Sequence, residues 1–351
     1  MGASGLCPEE LGARSVRVEP ARRVASRLPG GGGVTARIHI SLRVVSDYLF
    51  IGSGKDTWTG LEEAAARLDV SRLRGSGERI LRSLENFIEG IPAGLVKDFF
   101  RIRNPRTGRL EPAIPGSSLK GAARSRLELA TRDTGRGSVV AGFLYDSGGV
   151  ITRLPPPGAH GWRHARIWCE SLAEQRVIES SPTVGEELYG MARPELSLGS
   201  KALFSTLYPV GDVRCEVVEL DHGETLCAVT RGAVFRGYVD AVNVSLEELG
   251  LLLYSLGLDK LLCGGEPRLL MGYSKYRCRR LARSGRRVSF GIVSVRLEGI
   301  NEAPWSLNAL RDCGAASTEI VKCLVERAVS AYPGLPRCFD EVSRRLALEK
   351  C

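Results

Sequence analysis

The sequence is poor in aromatic residues, which make up 6% of its 351 residues. A surface that stacks nucleic-acid bases on several aromatic rings is therefore not indicated. No apolar run reaches the about 18 residues that a membrane-spanning helix requires. The longest candidate, LGLLLYSLGL at 249–258, has the length of a core helix. The ten cysteines contain no C-x-x-C pair and look unpaired, and no export signal is recognisable. A cytoplasmic protein without a membrane partner is predicted.

The positive charge is almost entirely arginine, with 41 Arg against 8 Lys, and the formal net charge is +9. Arginine binds phosphate with two parallel hydrogen bonds and stacks on bases, so this bias suits a nucleic-acid partner. A compositional bias of a thermophile or of a GC-rich genome is an equally good explanation. Composition alone leaves both open.

Residues 114–126, IPGSSLKGAARSR, are the most informative segment. Pro115 and Gly116 end the preceding element, two serines can cap a helix over 119–130, and Lys120, Arg124 and Arg126 are expected to project from its first turns. Free N–H groups and the positive end of a helix dipole favour a bound phosphate. An ordinary loop-to-helix junction with solvated charges is the alternative. No Ser or Thr follows the lysine-glycine pair, so the segment is not an NTPase phosphate loop.

The string PGSSLKG resembles a signature of the repeat-associated (RAMP) proteins of type III CRISPR effector complexes, most closely their guide-RNA-binding backbone subunits. The stretch KDFFRIRNPRTGR at 97–109 is similar to the family's Asp-x-x-x-Ile-Arg-Asp-Pro-x-Thr-Gly, except that Asn104 replaces the usual acid. Weaker similarities occur, in the family's order, at the segments Ile51-Gly52-Ser53-Gly54, Gly232-Ala233-Val234-Phe235, Gly264-Gly265 and Met271-Gly272-Tyr273. The resemblance covers residues 37–280.

Hydrophobic periodicity supplies the expected elements. Strands are predicted at 37–45, 213–220, 227–243, 269–277 and 288–297, and helices at 60–69, 77–90, 245–256 and over 303–350. Asp221-His222-Gly223 is predicted to form a hairpin turn. Strand, helix, strand, strand, helix, strand is the ferredoxin-like or RRM-like order of an α+β fold. His39, on the polar face of the first strand, is assigned no chemistry.

Three regions are predicted. Residues 1–35 form a flexible arm rich in Arg, Gly and Pro. Residues 36–300 form the ferredoxin-like RAMP core, with large insertions at about 55–96 and 131–200. Residues 301–351 form a C-terminal helical extension outside the resemblance.

The resemblance implies that the partners are guide RNA, complementary target RNA, and other RAMP and large subunits of an effector complex. The residues expected to contact RNA are Arg103, Gly116, Ser117, Ser118, Lys120, Gly121, Arg124, Gly264, Gly265, Gly272, Lys275 and Arg277.

Asp98 matches the acidic residue that relatives use to cut target RNA. Its carboxylate is expected to hold Mg²⁺, which would make the chain an endoribonuclease. A structural role for Asp98, in which it caps a turn or pairs with Arg101 or Arg103, is the alternative. The chain also lacks a clear match to the family's long hairpin, which leaves open a non-catalytic, end-capping subunit. Zinc is not expected, because His160, His164 and Cys169 have no evident fourth partner.

Overall fold

The computed structural model describes residues 14–18, 33–58, 77–78, 80–82, 95–131, 138–139, 145–147, 150–152, 175–177, 183–192, 197–306, 309–332 and 334–343. The α-helices that lie wholly within these ranges are α1 (Gly116–Ala130), α2 (Val184–Tyr189), α3 (Leu246–Ser255) and α4 (Ser317–Ala331), and residues 77–78, 80–82 and 341–343 are also helical. Short 3₁₀ helices cover Leu258–Cys263, Pro304–Ser306 and Arg311–Cys313.

The strands are β1 (Arg14–Val18), β2 (Val34–Val44), β3 (Tyr48–Leu49), β4 (Gly52–Trp58), β5 (Leu95–Phe99), β6 (Arg101–Arg103), β7 (Leu110–Pro112), β8 (Ser138–Val139), β9 (Tyr145–Ser147), β10 (Val150–Thr152), β11 (Gln175–Val177), β12 (Met191–Ala192), β13 (Ser197–Leu198), β14 (Ala202–Phe204), β15 (Tyr208–Pro209), β16 (Cys215–Glu219), β17 (Thr225–Thr230), β18 (Val234–Val244), β19 (Arg268–Leu270), β20 (Arg279–Arg280), β21 (Arg287–Val288) and β22 (Ile292–Glu302). The predicted α+β class is confirmed.

The central sheet has the order β14-β18-β2-β22-β19, with β15 also paired to β18, and all of its pairs are antiparallel. Along the chain, α1 lies between β2 and β14, and α3 lies between β18 and β22. Ile38, Ile40 and Leu42 of β2 are fully buried on the face that packs against the helices, as their alternation predicts. The ferredoxin-like assignment stays a prediction, and this strand order supports it.

A second sheet joins the hairpin β16–β17 to β5 and β4, with β3 paired to β17. The predicted turn at 221–223 closes this hairpin, and Gly223 has a φ of 82°. β1 falls inside the predicted arm, where it pairs in parallel with β11 and β8. The predicted helix 60–69 lies outside the described residues. Of the next predicted helix, 77–90, residues 79 and 83–90 also lie outside them, and residues 77–78 and 80–82 are helical.

One prediction about the C-terminal part needs correction. The strand predicted at 269–277 ends at Leu270, because Gly272 and Ser274 have positive φ angles of 77° and 52° and turn the chain. Among the described residues of the region 303–350, α4 is the long helix, and it packs closely against α3. A Cβ on Gly250 would lie 1.9 Å from the carbonyl oxygen of Leu324. These residues therefore complete the core of the molecule.

The prediction of unpaired cysteines is wrong for five of the described residues, because Cys263 is bonded to Cys338, Cys313 is bonded to Cys323, and Cys278 is also in a disulfide. Cys215 and Cys227 are free thiols. None of the helices in the described ranges is both long enough and apolar enough to cross a bilayer.

Candidate nucleic-acid interface

Backbone hydrogen bonds bring the separate sequence motifs into one continuous ladder. The C-terminal glycine loop is bonded to the first glycine turn. That turn is bonded to the segment after Asp98, and this segment is bonded to the one before α1. The donor and acceptor pairs are Tyr273 N to Phe50 O (2.9 Å), Phe100 N to Ile51 O (2.8 Å), Ala113 N to Phe100 O (3.0 Å) and Ile114 N to Leu207 O (3.0 Å).

Aromatic side chains join the same motifs from inside the protein. Phe99, next to Asp98, is stacked on Phe235 of the Gly232–Phe235 motif with ring centroids 6.5 Å apart. Phe50 meets Phe99 edge to face at 6.3 Å and Tyr273 at 5.9 Å. Several motif residues therefore contribute to packing of the core. The motifs lie in segments that must contact one another in the fold.

Helix α1 begins three residues earlier than predicted, at Gly116. The residue before it is Pro115, and no side chain caps the helix, so the predicted capping by Ser117 and Ser118 is wrong. Both serines instead lie in the first turn, where Ser117 is exposed and Ser118 half-buried. Gly116 is buried, and a Cβ there would lie 2.1 Å from the carbonyl oxygen of Phe204. The close approach that Gly116 permits is thus to the protein's own strand β14.

Only the N-terminal half of α1 reaches the surface, because residues 126–130 are all buried. The surface formed by Ser117, Ser118, Lys120, Gly121 and Arg124 is called the helix-start face. A Cβ on Gly121 would meet no atom within 4 Å, so packing gives no reason for a glycine there. Glycine inside a helix costs roughly 0.5–1 kcal/mol relative to alanine. Its presence in this exposed turn leaves the backbone open to a ligand.

The helix-start face is positively charged. Partial burial, together with the neighbouring Arg124 guanidinium, lowers the pKa of Lys120. Arg124 donates to the Glu128 carboxylate (2.8 Å) and to the carbonyl of Gly190 (3.2 Å). The first turn of α1 has no acidic residue, and within it the N–H groups of Ser118 and Leu119 donate to the carbonyl oxygen of Pro115, at 3.0 and 3.3 Å. A phosphate at this position would meet a helix dipole and two cations.

Arg126 does not belong to this face, contrary to the prediction. Its side chain is 1% exposed and pairs with Asp259 at 2.8 Å. It also donates to the carbonyl oxygens of Tyr254 (2.5 Å) and Phe339 (2.6 Å). Arg126 therefore links α1 to α3 and to the C-terminal segment, and it is unavailable to a ligand.

Asp98 lies on β5 with its carboxylate 3.5 Å from Nε of Arg101, which is the ion pair that the alternative interpretation predicts. Arg101 also donates to Sγ of Cys227 at 3.8 Å. Among the described residues, no group of three His, Cys, Asp or Glu side chains is placed to hold a metal ion. One carboxylate already paired to an arginine is a poor fit to Mg²⁺, which prefers several oxygen ligands in octahedral geometry. The candidate zinc residues lie outside the described ranges.

The other predicted RNA contacts are dispersed. Arg103 donates to the carbonyl of Gly108 at 3.0 Å and so braces its own hairpin turn. Gly264 and Gly265 lie at one end of β19 and Gly272 at the other, so the predicted glycine loop is not one surface. A Cβ on Gly272 would lie 2.5 Å from the carbonyl oxygen of Phe50, which explains this glycine by packing.

Lys275 and Arg277 differ in their surroundings and in their exposure to solvent. Burial lowers the pKa of Lys275, and the carboxylates of Glu341 and Glu128 partly oppose this shift. Lys275 therefore faces acidic groups of the core, whereas Arg277 is exposed. Of the predicted residues, the helix-start face is the set that the structure gathers on one surface.

No family model and no curated protein matches this sequence. Among solved structures, the chain is similar to Thermofilum pendens Csc2, with 14% identity and a TM-score of 0.36 over 93% of this chain and 82% of that one. It is similar to T. onnurineus Csm5, with 15% identity and a TM-score of 0.37 over 72% and 99%. A Type IV-B CRISPR complex gives 11% identity and a TM-score of 0.37 over 80% and 93%. These structural neighbours are RAMP-type CRISPR subunits, the kind that the sequence motifs predict. At such TM-scores the likeness carries no argument about function.

Proposed function

We propose that this chain is a guide-RNA-binding RAMP subunit of a type III CRISPR effector complex, and that it binds RNA through the helix-start face. The observation that carries the proposal is the partly exposed first half of α1, which presents Gly121 and the partly exposed Lys120 and Arg124 without an acidic residue in its first turn. Other RAMP and large subunits are the protein partners that the motif resemblance implies.

The chemistry of this face suits the backbone of RNA and not its bases. Ammonium, guanidinium and helix N–H groups bind phosphate oxygens, and such contacts carry no sequence information. The open space above Gly121 lets the sugar-phosphate chain approach the helix backbone. A subunit that must accept guides of any sequence needs this kind of contact.

The double variant Lys120→Ala/Arg124→Ala is expected to weaken binding of single-stranded RNA by roughly one order of magnitude for each charged side chain removed. The weakening should be equal for several RNAs of unrelated sequence, and fluorescence anisotropy with the full chain measures it. A matched control is Lys322→Ala/Arg327→Ala, which removes the same two charges from exposed positions on α4. Equal weakening in the control, or no weakening in either, would reject the helix-start face as the RNA site.

Catalysis is the point on which two versions of this function differ. The Asp98–Arg101 pair, and the absence of further metal-ligating side chains beside Asp98 among the described residues, favour the non-catalytic, end-capping version over a metal-assisted endoribonuclease. In the end-capping version, a complex assembled with Asp98→Ala should bind guide RNA and process complementary target RNA as the wild-type complex does in Mg²⁺. If Asp98→Ala and Asp98→Asn both abolish target cleavage and leave guide binding intact, Asp98 is catalytic and the endoribonuclease version holds.

A further inference from the structure

The central sheet has a second face, opposite the one that carries the buried aliphatic side chains of β2. On β2 the residues between the buried aliphatic ones point to this side, and their partners on β18 and β22 do the same. The surface is called the open face and is defined by its principal side chains, which are Arg37, His39, Arg43, Arg236, Tyr238 and Arg296.

Two rings lie side by side in the middle of the open face. His39 and Tyr238 are directly opposite each other on β2 and β18, and their ring centroids are 6.3 Å apart. Nε2 of His39 lies 3.2 Å from Nδ2 of Asn301, which orients the imidazole. On the other side of His39 the sheet has Gly299, where a Cβ would meet nothing within 4 Å. The imidazole therefore has open space beside it on the β22 side.

Arg37 extends this platform. Its guanidinium lies 3.9 Å from the centre of the Tyr238 ring and is held there by two hydrogen bonds to Asp240, at 2.7 and 2.8 Å. The Arg37 side chain remains 46% exposed. A guanidinium plane fixed on an aromatic ring offers a stacking surface to a nucleic-acid base.

The charge of the open face is complementary to a polyanion. Arg236 and Arg296 lie on either side of Glu298, each with a nitrogen 3.9 Å from the carboxylate, and Arg43 is exposed nearby. Four arginines against the carboxylates of Asp240 and Glu298 leave two positive charges. The same face thus carries both arginines and two rings, an arrangement that combines backbone attraction with stacking.

We infer that the open face binds unpaired bases of single-stranded RNA, which stack on His39 and on the Arg37–Tyr238 pair. The inference rests on the proposed function in that the ligand is RNA, and it adds a base-contacting surface distinct from the helix-start face. Bases of an A-form duplex cannot reach these rings, because they remain stacked in a groove that side chains cannot enter. An acidic protein would use the arginines and leave the rings unexplained.

The test uses the full chain and a single-stranded oligouridylate of about 12 nucleotides, within the range of sites that such surfaces occupy. The variant His39→Ala/Tyr238→Ala should bind it about tenfold more weakly, with an unchanged dependence of affinity on salt, because stacking releases no counterions. An oligonucleotide of the same length without bases should bind the variant and the wild type equally. His222→Ala, at the tip of the β16–β17 hairpin, is the control and should bind as the wild type does.

Wild-type protein crosslinked to the same RNA carrying 5-iodouridine provides a measurement that needs no variant. Crosslinked peptides containing His39 or Tyr238 support the inference. The inference is overturned if neither β2 nor β18 is crosslinked. It is also overturned if the variant loses as much affinity for the oligonucleotide without bases as for the oligouridylate. The proposed function fails separately, if Lys120→Ala/Arg124→Ala leaves RNA binding unchanged.

Discussion

Arg126→Ala is expected to lower the free energy of unfolding by about 3–5 kcal/mol, as when one partner of a buried ion pair is removed. Arg126 and Asp259 are 1% and 0% exposed. Without the guanidinium, the Asp259 carboxylate keeps its hydrogen bond from the N–H of Phe339 but has no counter-charge. The carbonyls of Tyr254 and Phe339 are deprived of a donor as well. Urea unfolding followed by circular dichroism measures the change.

Arg283→Ala is the matched control for this prediction. Arg283 also pairs with a carboxylate, that of Glu219, but its side chain is 86% exposed. An exposed pair of this kind contributes roughly 0–1 kcal/mol. If both variants unfold at the same urea concentration, Arg126 does not connect α1 to the core in the way described.

Gly116→Ala and Gly121→Ala should change stability in opposite directions, although both add one methyl group to the same helix. The new Cβ at Gly116 would lie 2.1 Å from the Phe204 carbonyl oxygen, so strand β14 or the helix must move. Such overpacking typically costs about 1–3 kcal/mol. The new Cβ at Gly121 meets nothing, and alanine should raise the free energy of unfolding by roughly 0.5–1 kcal/mol.

The same pair separates packing from binding. Gly121→Ala should bind single-stranded RNA more weakly than the wild type despite being more stable, because the methyl group occupies the space left for the sugar-phosphate chain. Thermal unfolding and fluorescence anisotropy on one preparation provide both values. A more stable Gly121→Ala protein with undiminished affinity would show that RNA does not approach this turn.

Local signals predicted the elements whose causes are local. Ser245 and Glu248 form a reciprocal capping box at the start of α3, and the helix lies within one residue of the predicted range at each end. The alternation in RIHISLRVV predicted the strand that became β2. The motif PGSSLKG predicted the helix and the basic residues that reach its surface, although the cap and the starting residue were wrong.

The errors come from contacts between residues far apart in the chain. Nothing near Arg126 indicates that Asp259 and Phe339 will enclose it, and the partners Cys263 and Cys338 are 75 residues apart. Gly116 and Gly121 look equivalent in sequence, and only the position of Phe204 separates their roles. His39 was placed on the correct face of its strand. Its neighbour Tyr238 comes from a strand about 200 residues later, so the sequence did not indicate that the two rings lie side by side.

The salt dependence of RNA binding tests the central claim most directly. Removing one cation that neutralises a phosphate of a single strand reduces the slope of log K against log salt by roughly 0.7. Lys120→Ala/Arg124→Ala should therefore flatten the slope by about 1.4 relative to the wild type. The control Lys322→Ala/Arg327→Ala should leave the slope unchanged. Parallel lines for the wild type and a correctly folded Lys120→Ala/Arg124→Ala protein would contradict the assignment of RNA phosphates to the helix-start face.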